Sequence, residues 1–141
     1  MKTKLALAFA AIGIMSALPV WAHHSFAAEF DDKKPLKLVG TVTKMEWTNP
    51  HSWIHIDVKG PDGKVTPWMI EAGSPNALYR LGYNKDMLPV GTDIVVEGYH
   101  AKDSSNRGVG ANLTFTNGKR LFLGGSAPGA HGDAPDPESK K

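Results

Sequence analysis

Between Leu36 and Leu123 the chain is a series of short runs in which apolar and polar residues alternate, each closed by a turn signal. Alternation with period two belongs to half-buried β-strands, and strands this short bury a core only by closing on one another. The first run, Leu36 to Trp47, puts Leu36, Leu38, Gly40 and Val42 on one face and Met45 and Trp47 in the opposite phase. A reversal of phase near Thr43 and Lys44 predicts a bulge or strong bend. Beyond Asn49-Pro50, Ile54, Ile56 and Val58 face one way and Trp53, His55 and Asp57 the other. Pro61-Asp62-Gly63 is a turn sequence, and Val65 to Ala72 returns as a third strand, so the first three form a meander.

The helical signal lies between Ser74 and Gly82. Ser74 suits the N-cap, Pro75 the first helical position, Leu78 and Leu81 one buried face, and Gly82 the stop. A further strand follows from Asp93 to His100. Asn112–Thr116 and Lys119–Leu123 then make a hairpin about Asn117-Gly118. Three strands, a short helix and then the remaining strands is the order of a small five-stranded OB-fold-like barrel with its helix between strands 3 and 4. A flat β-sandwich is the alternative, though it ordinarily has more strands.

The flanks differ. Residues 1–22 carry Lys2 and Lys4, an apolar run from Leu5 to Leu18, and the small-residue site Val20-Trp21-Ala22. That succession predicts a cleavable secretory signal and a periplasmic location; the run is short of the roughly 20 residues of a membrane-spanning helix. With no cysteine, lipid attachment at cysteine and disulfides are both excluded, so no stable membrane anchor is expected after cleavage. Residues 23–35 are expected as a surface arm with Phe26 and Phe30 as its apolar residues, residues 36–123 as the barrel, and residues 124–141, rich in Gly, Pro and Ala, as a disordered tail. Lys2 and Lys4 account for the whole formal charge of +2. The remainder is formally neutral, which predicts no nucleic-acid partner.

Histidine is the chemically suggestive residue type. Cleavage after Ala22 makes His23 the first residue, whose α-amine and imidazole together can chelate copper, an ion that favours tetragonal nitrogen ligation. His51, His55 and His100 are the candidates for a further nitrogen. His51 and His55 stand about 13 Å apart on an extended strand, so only one of them can join His23. The competing reading is structural, with His51 completing a turn and His55 and His100 exposed on strands. Trp47, Trp53, Trp68 and Tyr99 form either a stacking platform for a sugar or nucleotide ring or the caps of the barrel core. Glu71 and Glu97 are acids within strands whose burial would perturb their pKa. The chain has no CxxC, HExxH or EF-hand spacing, nucleophile elbow, phosphate loop or dinucleotide fingerprint.

His23-His24-Ser25-Phe26-Ala27-Ala28-Glu29-Phe30-Asp31, Gly40-Thr41-Val42 leading to Glu46-Trp47-Thr48-Asn49-Pro50-His51-Ser52, and Gly73-Ser74-Pro75 resemble a family of small exported bacterial proteins catalogued only as a domain of unknown function. The resemblance implies a periplasmic, OB-like protein and brings no activity or catalytic residue. It implies Arg-Asp-Gly after the fourth strand, where this chain has Lys102-Asp103-Ser104. The resulting expectation is an exported, non-enzymatic binding domain, with copper held through His23 or with a small ligand. The alternatives are an adaptor for another envelope protein and, third, a small hydrolase using a buried glutamate.

Overall fold

The computed structural model describes residues 26–132; residues 1–25 and 133–141, with the expected signal segment and His23, lie outside the described residues. Residues 26–29 are helical and lead into β1, Phe30–Glu46. There follow β2, Trp53–Lys59; β3, Val65–Glu71; a helix, Pro75–Arg80; β4, Asp93–Ala101; β5, Arg107–Phe115; and β6, Arg120–Phe122. The sheet order is β3-β2-β1-β4-β5-β6, all neighbours antiparallel. A parallel pairing of β3 with β5, Met69 to Arg107 through Glu71 to Val109, closes the sheet into an OB-fold-like barrel. The helix sits between β3 and β4, as its sequence signals require.

Closure depends on β1, a 17-residue strand that pairs with β4 along its first part and with β2 along its second. Gly40 and Thr41 pair with both. A side chain at Gly40 would lie 2.9 Å from the Asp57 carbonyl oxygen, so the two strands approach here only because glycine is present. The expected bulge falls between Val42 and Lys44. It returns Met45 to the inward side of the ladder and Lys44 and Glu46 to the outward side, next to His55 and Trp53.

Inward residues fill the barrel: Val42, Ile54, Ile56, Ile70, Ile94, Val96 and Leu113 are all buried. Each such side chain contributes about 1.5–3 kcal/mol through removal of apolar surface from water. The helix plugs one end with Leu78, and Ser74 Oγ accepts from the Ala77 N–H at 3.2 Å as its N-cap.

Two flanking expectations are corrected. Residues 30–35, expected in a surface arm, form the start of β1: residues 32–35 are exposed, and Phe30 is buried against Ala101, Val109 and Ala111. A disordered tail does not begin at Gly124, because residues 124–132 fold back with Ala127 and Ala130 buried in the same cluster and the Gly124 N–H donating to the Ala130 carbonyl. Richness in glycine and alanine is shared by loose chain and by segments packed where backbones come close.

Candidate functional site

The ladder between β2 and β3 runs past the strand ends. Ser52 N–H donates to the Gly73 carbonyl at 3.0 Å and Ala72 N–H to the Ser52 carbonyl at 2.9 Å. This pairing fixes Pro50-His51-Ser52 beside the end of β3. His51 Nδ1 lies 3.3 Å from Glu71 Oε1. Glu71 follows the outward alternation of β3, yet it is only 4% exposed, because β3 is flanked there by β5 as well as β2.

Burial pushes the Glu71 carboxyl above its ordinary range; the charge of Glu29 adds to this, and the positive charges of His51 and Arg107 oppose it. Arg107, the first residue of β5, places Nη2 3.3 Å from Glu29 Oε2, and its guanidinium carbon lies 5.9 Å from the centre of the Phe30 ring. Arg107 Nε is buried without a hydrogen-bond partner. His51, Glu71, Arg107 and Glu29 therefore form one electrostatic cluster at the mouth of the barrel. His51 also lines an open cleft of about 260 Å³ with Pro50, Gly73, Ser74 and Ser126.

The amino-terminal segment is pinned to this end. Lys102 N–H donates to the Glu29 carbonyl at 2.9 Å, and Lys102 Nζ donates to the Ala27 carbonyl. Phe26 meets Tyr99 edge-on with ring centres 5.6 Å apart.

The remaining sequence candidates lie apart. His55 Nε2 contacts Glu46 Oε2 at 2.9 Å on the outer face of β1 and β2; the Glu46 carboxyl is held below its ordinary range by hydrogen bonds from Lys44 and His55. His100 tilts against Trp68 with ring centres 5.2 Å apart, and its Nε2 is buried without a partner. The structure thus does not gather His51, His55 and His100, and among the described residues no group of three or more His, Cys, Asp or Glu is placed to hold a metal ion. His23 lies outside the described residues.

The aromatic platform is likewise not assembled. Trp47 stacks on Tyr79 at 5.4 Å, Trp68 packs on His100 and Tyr99 on Phe26, while Trp53 stands half-buried opposite Glu71. The first three already have separate partners and so offer no shared free surface.

Sequence reasoning reached Glu71 as an acid whose burial would matter, and it missed Arg107 and Glu29. No local pattern announces them, because their pairing joins residues far apart in sequence and exists only once β5 lies beside β3. Glu97 lies at the surface, its Oε1 3.7 Å from Lys37 Nζ. Among the described residues no helix is long and apolar enough to cross a membrane.

A family model described as "Family of unknown function (DUF6152)" matches residues 12–112. No curated protein matches the chain. One solved structure with a similar fold is a mitochondrial single-stranded DNA binding protein from S. cerevisiae, at 14% identity and a TM-score of 0.45, over 59% of this chain and 94% of that one. The expectation of no nucleic-acid partner is not retained: the solved structure matched here is titled a single-stranded DNA binding protein. The likeness concerns fold alone and assigns this chain no ligand.

Proposed function

The chain belongs to DUF6152, a family of unknown function that lends it no activity, and we propose from its own residues that it is an exported, non-enzymatic domain that binds copper. His51 is the ligand fixed on the barrel, and His23 is the ligand supplied by an amino end processed after Ala22. Residues 1–22 act as the signal that takes the protein to the periplasm, where that processing occurs.

The observation that carries this reading is the contact between His51 and the buried carboxyl of Glu71. A carboxylate at one ring nitrogen of a histidine orients the imidazole and makes the other nitrogen a better metal ligand. Here Glu71 occupies Nδ1, which leaves Nε2 as the coordinating atom. Two features support a contribution from the amino end. Residues 26–30 are pinned at the same end of the barrel through Lys102, Tyr99 and the ion pair between Glu29 and Arg107. His23 stands three Cα–Cα steps before Phe26, a reach of at most about 11 Å. An α-amine and two imidazoles are a nitrogen set suited to copper(II).

Calorimetric titration of copper(II) into the processed protein tests this, beside His51→Ala and a version with one residue added before His23. Near-stoichiometric binding, weakened about tenfold or more by each change, is the expected result. Affinity equal in all three proteins refutes the site.

A further inference from the structure

A second cleft lies over the outward face of β1, β4, β5 and β6. The registers Lys37–Glu97, Glu97–Asn112 and Asn112–Phe122 set these four side chains in one row across the sheet, with Arg120 two residues along from Phe122 on the same face. The returning segment 124–132 rises beside this row, and Pro128, Gly129 and Gly132 form one wall of an open cleft of about 550 Å³. That volume falls within the range of small-ligand sites. The cleft shares no lining residue with the one at His51.

Three observations describe what would fill it. Asn112 lines the cleft, is only 5% exposed, and has its Oδ1 buried with no hydrogen-bond partner, so an acceptor there lacks a donor. Lys37 and Arg120 share a single acid, Glu97, at 3.7 and 3.9 Å, distances too long to saturate either cation; the three charges leave one positive charge unmatched. Phe122 and Tyr99 supply apolar walls, with the Arg120 guanidinium 5.6 Å from the centre of the Phe122 ring. A guanidinium stacked on a ring keeps its N–H edge free for a carboxylate. Asn112 and Arg120 are diagonal neighbours across β5 and β6, about 7–8 Å apart along the sheet. One aromatic ring with a donor at one end and a carboxylate at the other spans that separation.

We propose that this cleft binds a small aromatic hydroxy acid: Arg120 and Lys37 hold its carboxylate, Phe122 and Tyr99 flank its ring, and Asn112 Oδ1 accepts from its hydroxyl. Asn112 Oδ1 is sealed from water while the cleft is empty, so binding shifts the neighbouring wall, segment 124–132, by the small distance that admits the hydroxyl.

The test is a titration of the isotopically labelled full chain with 4-hydroxybenzoate, followed by amide chemical shifts, with benzoate and 4-hydroxybenzyl alcohol as comparison ligands. Saturable shifts confined to the cleft are expected. Arg120→Ala, a change at a largely exposed side chain, weakens 4-hydroxybenzoate about tenfold or more and leaves 4-hydroxybenzyl alcohol unaffected. In Asn112→Leu, 4-hydroxybenzoate loses its advantage over benzoate. Absence of saturation, shifts located elsewhere, or binding unchanged by Arg120→Ala would overturn the proposal.

Discussion

His51 Nδ1 stands 3.3 Å from Glu71 Oε1, and the Glu71 side chain retains only 5% of its exposure. Burial dominates this pair: the carboxyl is raised above 4.5 despite the positive charges of His51 and Arg107. A carboxyl raised on folding binds its proton more tightly in the folded chain than in the unfolded one. Its favourable contribution is complete below the unfolded pKa and is lost as pH rises through the folded value.

Glu71→Gln, which keeps the shape and removes the charge, is accordingly expected to melt at a higher temperature than the parent at pH 7. Below the unfolded carboxyl pKa the two should melt alike. Thermal unfolding over a pH series measures this, and a constant difference between the two proteins across the series would rule it out.

Glu46 has the opposite sign. Hydrogen bonds from Lys44 and His55 lower its carboxyl, so its contribution is present above 4.5 and lost as pH falls through the lowered value. Glu46→Gln should therefore melt below the parent at neutral pH and converge with it in acid. A melting temperature at or above the parent's at pH 7 contradicts the pairing.

Gly98 lies directly against the backbone of β5. A methyl group there would stand 2.0 Å from the Val109 carbonyl oxygen and 2.9 Å from Gly110 Cα, both backbone atoms that no side-chain rotation can move. Gly98→Ala must push the strands apart beside the register shift at Glu97 and Gly98. The expected loss is about 3 kcal/mol, roughly 12 °C or more in melting temperature for a domain of this size.

The elements that could be read from the sequence are those whose signal is local. The bulge at Val42 to Lys44 shows in the change of alternation between Val42 and Met45, and the helix in Ser74, Pro75 and Gly82. Ile54 and Ile56 are inward because nothing but the period of the strand decides their face. The candidate site was legible only in parts. His51 and Glu71 are each conspicuous, but their contact depends on β2 and β3 staying paired beyond their ends, and the Glu29–Arg107 link on closure of β5 against β3. Segment 124–132 escaped for a related reason: Gly73 and Gly125 meet backbone to backbone, and glycine composition alone does not distinguish such close packing from a loose chain.

Ser104 occupies φ 61°, a conformation in which a side chain on an L-residue costs about 1 kcal/mol. The family resemblance implies glycine at this position, and the backbone explains why. The Ser104 side chain is exposed, and the turn is held by its N–H donating to the Ala101 carbonyl at 3.2 Å, which glycine retains. Ser104→Gly should thus stabilise the protein by about 0.5–1 kcal/mol. Denaturant unfolding with an unchanged slope would show it, and a lower midpoint would contradict it.

Arg107 ties β5 to the segment before β1 by its ion pair with Glu29 and its position over Phe30. Both carboxylate and guanidinium are partly exposed, so the pair is worth at most about 1 kcal/mol, with a similar amount from the ring contact. That is too little to unfold the barrel and enough to loosen the segment. Arg107→Gln is therefore expected to speed hydrogen exchange at the Lys102 amide, whose bond to the Glu29 carbonyl closes this junction, by about fivefold or more. The Ile56 amide, inside the barrel, should be unaffected. If the amino end supplies a copper ligand, the same variant lowers copper affinity while His51 keeps its contact with Glu71. Unchanged exchange at Lys102 would mean that Phe26, Phe30 and Lys102 alone hold the segment in place.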